Sequence, residues 1–136
     1  MSKKTLFLGL ALSAGLLATG VSAAAISGKS DLTCATIDVV GCTSSACTRG
    51  QATTFDLPTF MFVDVERRVV YAENESGEEV VSPIKNFEVT ENAIVLQGLE
   101  DHRGWTAGID RKSGGLTLSS TGADVSFIIF GNCTER

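Results

Sequence analysis

Histidine is almost missing from this 136-residue sequence, in which His102 is the only one, and tryptophan and tyrosine also occur once each. A single histidine excludes the zinc motif His-Glu-x-x-His, which contains two. The serine-hydrolase motif Gly-x-Ser-x-Gly, phosphate-binding glycine loops and the redox motif Cys-x-x-Cys are also missing. We therefore expect a protein that is not an enzyme, with no catalytic residue, no metal site and no cofactor.

Positive charge is also scarce, with 11 lysines and arginines against 16 acidic residues and a net charge of −5. This balance argues against a nucleic-acid partner, because binding to phosphates needs a basic surface. It argues equally against anionic membranes. The partner, which the sequence does not identify, is expected to be a basic protein or a small ligand.

Long apolar segments are rare, and the longest of them, the uncharged run Thr5–Gly20, lies near the N-terminus. Two lysines precede this run, and the small residues Val21-Ser22-Ala23 follow it. This order is typical of a secretory signal peptide, and the run is shorter than the ~20 residues of a membrane span. We predict that residues 1–23 are a signal peptide, with cleavage after Ala25 as second choice. Residues 24–136 then form one domain in the periplasm or outside the cell.

The predicted mature chain contains four cysteines, Cys34, Cys42, Cys47 and Cys133. In an oxidising compartment, an even number of cysteines usually forms disulfides, whereas zinc sites use closely spaced pairs in duplicate. Four cysteines allow three pairings, and sequence alone does not choose between them. We favour Cys42–Cys47, which closes a short loop, and Cys34–Cys133, which would tie the first strand to the last.

From residue 32 onward, short segments rich in valine, isoleucine, threonine and aromatic residues alternate with polar connectors. No helical periodicity is visible there. Because the connectors are short, strands that are neighbours in sequence should pair antiparallel. We predict an all-β fold, a disulfide-linked meander barrel of about eight strands, with a β-sandwich as the alternative. The predicted strands are Leu32–Val40, Phe60–Val65, Val69–Glu73, Ile84–Thr90, Ala93–Leu99, Gly104–Asp110, Gly115–Ser119 and Val125–Gly131.

Side-chain alternation assigns the faces of these strands. Trp105, Ala107 and Ile109 share one face, which we expect to be the inner one. Two segments, Phe60–Val63 and Ile128–Phe130, are apolar on both faces, so we expect a loop or a second layer over their outer sides. An eight-stranded barrel has an interior that is filled by side chains or has room for one small ligand.

The densest polar cluster, Gln97–Trp105, contains Glu100, Asp101 and His102. An acidic residue beside a histidine can act as an acid/base pair, and the Glu100–His102 turn is the basis of a hydrolase hypothesis. No nucleophile motif accompanies this turn, so we interpret it as a charged hairpin connection.

Two other loops are distinctive. The acidic loop Glu73–Glu79 lacks the aspartate spacing of a calcium site, and we interpret it as a solvated loop. The serine- and threonine-containing loop between Cys42 and Cys47 is a candidate recognition element on a rigid scaffold, or else only a closed edge.

Several short motifs distributed over most of the predicted mature chain resemble those of a group of small exported proteobacterial proteins without assigned function. The motifs are Leu57-Pro58-x-Phe60 with Val63-Asp64, Ser82-Pro83-Ile84, Leu96-Gln97-Gly98-x-Glu100, Arg103-Gly104-Trp105, Ile109-Asp110-Arg111 and Phe130-Gly131-x-Cys133-Thr134. This resemblance implies no mechanism and supplies no catalytic residues. The expected architecture is also similar to that of periplasmic lysozyme inhibitors, which are small disulfide-linked β-barrels. Ser120-Thr121-Gly122 differs from their serine-glycine-tyrosine inhibitory loop, because no tyrosine follows.

These observations lead to one functional expectation and two alternatives. We expect an exported, non-enzymatic β-barrel that acts as a binding or structural module for an unknown ligand. The first alternative is an inhibitor of a basic enzyme such as lysozyme. The second is a hydrolase that uses the Glu100–His102 turn.

Overall fold

The computed structural model describes residues 24–73 and 77–136, and the predicted signal peptide lies outside the described residues. Within these residues, nine strands and one 3-10 helix, Ala52–Phe55, are formed. The strands are β1 Leu32–Cys42, β2 Cys47–Gly50, β3 Phe60–Asp64, β4 Val69–Glu73, β5 Glu79–Val89, β6 Ala93–Glu100, β7 Arg103–Asp110, β8 Gly115–Thr121 and β9 Ser126–Glu135.

The strands form one antiparallel sheet, in which each strand from β3 to β9 pairs with its neighbour in sequence. The sheet closes on itself because β1 pairs with β9 along almost its whole length and, through its first four residues, with β3. β2 pairs only with the other end of β1. Eight strands thus make a closed barrel, which confirms the predicted meander barrel in place of the β-sandwich.

Several strands extend beyond their predicted ends, and β2 and the 3-10 helix were not expected. β5 begins at Glu79 rather than Ile84, because the polar and valine-rich stretch before Pro83 pairs with β4. β9 continues to Glu135, since the start of β1 supplies it with a partner. These strand boundaries are set by backbone pairing with a neighbouring strand. The local sequence pattern carries no information about that pairing.

The inner faces of the strands form the core. Trp105, Ala107 and Ile109 are all buried, as alternation predicts. The most completely buried side chains are Leu32, Val39, Ile94, Leu96 and Ile109.

Among the described residues, no loop or second layer covers the outer side of Phe60 or Phe130, although one was expected over both apolar segments. Phe60 is 53% exposed and Phe130 is 42% exposed, and a bulge in β1 presents Ile37 next to them on the same outer side. The expected covering loop or second layer is therefore wrong for these residues. Phe62 is shielded differently, because it stacks on Tyr71 with 5.1 Å between the ring centroids.

Residues 24–31, which precede β1, close one end of the barrel. Ile26 is buried there, and its backbone amide donates to the carbonyl of Arg111 at 2.8 Å while Arg111 Nε donates to the Ile26 carbonyl at 2.7 Å. The hydroxyl and the backbone amide of Ser27 donate to the Glu135 carboxylate at 2.5 and 2.6 Å, which holds the pKa of Glu135 below its ordinary value. We call residues 24–31 the N-terminal plug.

Candidate functional site

The interior of the barrel contains a half-enclosed cavity of about 770 Å³. Leu96 and Ile109, which are almost completely inaccessible, line it near the plugged end. The other inner side chains that line the cavity are mostly apolar, and the lining includes residues from every strand of the barrel. The apolar ones include Met61, Val63, Val70, Ala107, Leu116, Leu118, Phe127 and Ile129. The inner faces of the strands thus surround an apolar cavity that opens at one end of the barrel.

Trp105 forms part of the cavity wall, and its position is fixed from two sides. Its Nε1–H donates to the hydroxyl of buried Ser82 at 2.8 Å. Ser82 lies on β5, so this hydrogen bond spans the intervening strand β6. Its indole ring lies over Gly98, its register partner on β6, where an added Cβ would be 2.2 Å from a ring carbon. Glycine at this position therefore lets the largest side chain of the interior lie flat against the sheet.

The mouth of the cavity lies between three segments at the unplugged end. These are residues 53–60, which follow the short helix, the facing ends of β4 and β5 at Glu73 and Val80, and the β6–β7 turn, Glu100–Arg103. The meander brings them together, because alternate connectors of an antiparallel barrel lie at the same end. Phe127, which also lines the cavity, packs edge-on against Phe55 of the short helix, with 5.8 Å between the ring centroids.

The rim of the mouth carries an acidic excess. Asp56, Glu73, Glu100 and Asp101 line it and are exposed, and Arg103 is the one arginine or lysine among the described lining residues. The guanidinium of Arg103 lies over the ring of Phe127, 5.4 Å from its centroid. The plugged end and its turns carry most of the positive charge of the domain, namely Lys29, Arg67, Arg68, Arg111, Lys112 and Arg136.

Sequence reasoning did not identify this rim, although the signal was present. The connectors after β4 and β6 are acidic, whereas those after β3 and β7 contain paired basic residues. Once a meander barrel is assumed, this alternation predicts one acidic end and one more basic end. Asp56 had no such signal, because the 3-10 helix that precedes it was not predicted.

The Glu100–His102 turn of the hydrolase hypothesis lies at this rim. Glu100 is the register partner of Arg103, and His102 Nδ1 is 2.7 Å from the Asp101 carboxylate. The His102 side chain is 71% exposed. The turn is thus a two-residue hairpin connection in which Asp101 has a left-handed backbone with φ of 51°. The hydrolase hypothesis stays a prediction.

The structure joins Cys34 to Cys133 and Cys42 to Cys47, which is the pairing favoured from the sequence. In residues 24–73 and 77–136, histidine, cysteine and acidic side chains form no cluster suited to a metal ion.

The hairpin closed by Cys42–Cys47 stands at the unplugged end, and residues 43–46 are exposed. Arg49 on β2 donates to the Asp38 carboxylate at 2.6 Å, and this hydrogen bond holds the pKa of Asp38 below its ordinary value. The hairpin is not among the segments that line the cavity.

No protein-family model matches the chain, and no curated protein shows significant sequence similarity to it. Within the part of the chain that the structure describes, no helix has the length and the apolar character needed to cross a bilayer.

Proposed function

We propose that this protein is an exported, non-enzymatic binding protein that holds a small apolar ligand inside its barrel. The observation that carries this proposal is the cavity of about 770 Å³, apolar inside and open at the end opposite the N-terminal plug. Ligand sites are typically concave, mostly apolar and about 300–1,000 Å³ in volume. A purely structural barrel of this strand number has an interior that is just filled by side chains.

Separate observations support the proposed compartment. The two disulfides are compatible with an oxidising environment. Together with the signal-peptide pattern in residues 1–23, they support a location in the periplasm or outside the cell. Residues 24–136 contain nine basic and 16 acidic residues, a net charge of −7 that supports partners other than nucleic acid or anionic membranes.

The compartment is tested by the intact mass of the exported protein, alkylated at its thiols with and without prior reduction. We expect a mass that lacks residues 1–23 and labelling only after reduction. A mass that includes residues 1–23, or four labelled thiols without reduction, would contradict the proposed location.

The ligand site is tested with a neutral apolar fluorophore, N-phenyl-1-naphthylamine. We expect it to bind with enhanced emission and to quench Trp105, the only tryptophan, which lines the cavity. Ala107→Phe places a ring in the middle of the cavity and should weaken binding at least about tenfold, because the ring displaces the probe from apolar surface.

Thr106→Phe is the matched control, since Thr106 neighbours Ala107 on β7 and lies on the opposite face of the sheet. This variant should bind the probe like the unmodified protein. Thermal unfolding of both variants verifies that they fold. If folded Ala107→Phe bound the probe with unchanged affinity, the barrel interior would not be the binding site.

The acidic rim favours a second candidate, capture of a basic enzyme such as lysozyme. A protein of that kind would contact the rim and not enter the barrel. Its binding would weaken steeply with salt and would be unchanged in Ala107→Phe. The same variant therefore distinguishes the two candidates.

A further inference from the structure

The proposed ligand site combines an apolar interior with an acidic rim, and this combination narrows the class of ligand. We propose that the cavity takes small amphiphiles with a cationic head group, whose apolar body occupies the barrel and whose cation lies among the rim carboxylates. This inference rests on the function proposed above and adds the charge of the ligand to it.

The interior selects an apolar body. The charged residues that line the cavity are all at its rim. Deeper inside, the hydroxyl of Ser82 already accepts the hydrogen bond of Trp105. A charged group placed there would lose its hydration without gaining a partner, which is strongly unfavourable.

The rim selects a positive charge because two of its carboxylates are uncompensated. Within the described residues, Glu73 and Glu100 form no ion pair. The Asp101 carboxylate lies 2.7 Å from His102 Nδ1, and the guanidinium of Arg103 lies over Phe127. The rim therefore presents net negative charge beside an apolar opening.

The plugged end shows a different arrangement of acidic residues. There Asp64 is paired with Arg67 at 3.7 Å, and Asp31 with Arg136 at 3.8 Å. Asp31 and Asp64 are thus neutralised locally at the plugged end, whereas Glu73 and Glu100 at the mouth have no ion-pair partner among the described residues. An anionic ligand would be repelled at the mouth, and a neutral one would gain nothing from it.

Three probes with the same decyl chain test the inference: decyltrimethylammonium, decanol and decanoate. Each is titrated below its micellar concentration, at low and at high salt, with Trp105 fluorescence as the readout. We expect the cation to bind about fivefold to tenfold more tightly than the alcohol, and decanoate to bind more weakly than both. Salt should reduce the difference between the cation and the alcohol, because the rim is exposed.

Two double variants with the same net charge identify the carboxylates involved. Glu73→Gln with Glu100→Gln removes two charges at the mouth, and it should abolish most of the preference for the cation. Glu88→Gln with Glu91→Gln removes two exposed charges on β5 and on the turn that follows it near the plugged end. This control should keep the preference, since the mouth is unchanged.

The outcomes separate the two proposals. Equal binding of the cation and the alcohol, or tighter binding of decanoate, would overturn the inference and leave the apolar ligand site standing. An equal loss of preference in both double variants would also overturn it, because net charge and not the rim would then be responsible. Failure of all three probes and of the naphthylamine to bind would overturn the proposed function itself.

Discussion

Replacing Cys34 and Cys133 by alanine will lower the free energy of unfolding by about 4–5 kcal/mol, one of the largest losses expected from a paired substitution in this protein. The bond joins residues 99 positions apart, so its removal restores a large amount of conformational freedom to the unfolded chain. The two cysteines are also direct register partners on β1 and β9, the strand pair that closes the barrel. Denaturant unfolding of the purified double variant measures the loss.

The second disulfide supplies the matched control. Cys42 and Cys47 are five positions apart, and the same chain-entropy relation gives about 2 kcal/mol for their replacement by alanine. The closed loop is short, and it lies at the open end of the barrel rather than in its core. Equal losses for the two pairs would show that the length of the closed loop does not set the stabilisation here.

Gly98→Ala is expected to destabilise the protein by about 2–3 kcal/mol, although it adds a single methyl group. The new Cβ would lie 2.2 Å and 2.4 Å from two ring carbons of Trp105 and 2.6 Å from the carbonyl oxygen of Pro83. The Trp105 ring is held in place by its hydrogen bond to Ser82, and the Pro83 carbonyl by the pairing of β5 within the sheet. The substitution must therefore displace Trp105 from the cavity wall or deform the sheet. Thermal unfolding and the emission maximum of Trp105 will report the change together.

Gly108→Ala is the control for this substitution, since Gly108 lies on β7 and a Cβ there has no neighbour within 4 Å. We expect its effect on stability to remain within about 1 kcal/mol. In a Trp105→Phe background, Gly98→Ala should cost less, because phenylalanine lacks the ring atoms that the Cβ meets. An unchanged cost in that background would mean that the clash with Pro83 dominates.

Much of this fold could be predicted from the sequence, because local alternation and short connectors determine a meander. The N-terminal plug could not be predicted, since residues 24–31 contain Ile26 as their one large apolar side chain and look like a linker. Its attachment depends on partners at residues 111 and 135, far along the chain. The exposure of Phe60 and Phe130 was also missed, because a run of apolar residues does not tell which of its members a neighbouring element covers.

The cavity itself has no signature in the sequence. Its volume is the space that the side chains on eight inner faces leave between them. This volume is determined only when the barrel closes, because closure sets the distances between the faces. One turn of the rim, Glu100–His102, is a distinctive polar cluster in the sequence. Glu100 and His102 were singled out as a potential acid/base pair, and the structure places them at the mouth. Glu73 belongs to the acidic loop that the sequence shows, and the topology places it beside Glu100 and His102 at the mouth.

The pairing of the first strand with the last imposes an order of events on folding. In the exported protein proposed here, Cys34 crosses the membrane 99 positions ahead of Cys133, so β1 cannot pair with β9 until residues 126–135 have followed. Cys42 and Cys47 are close enough to combine during this delay, because closing a short loop is fast. Their bond removes two of the four thiols and with them both incorrect pairings. Once this short-range disulfide has formed, Cys34 and Cys133 can pair only with each other.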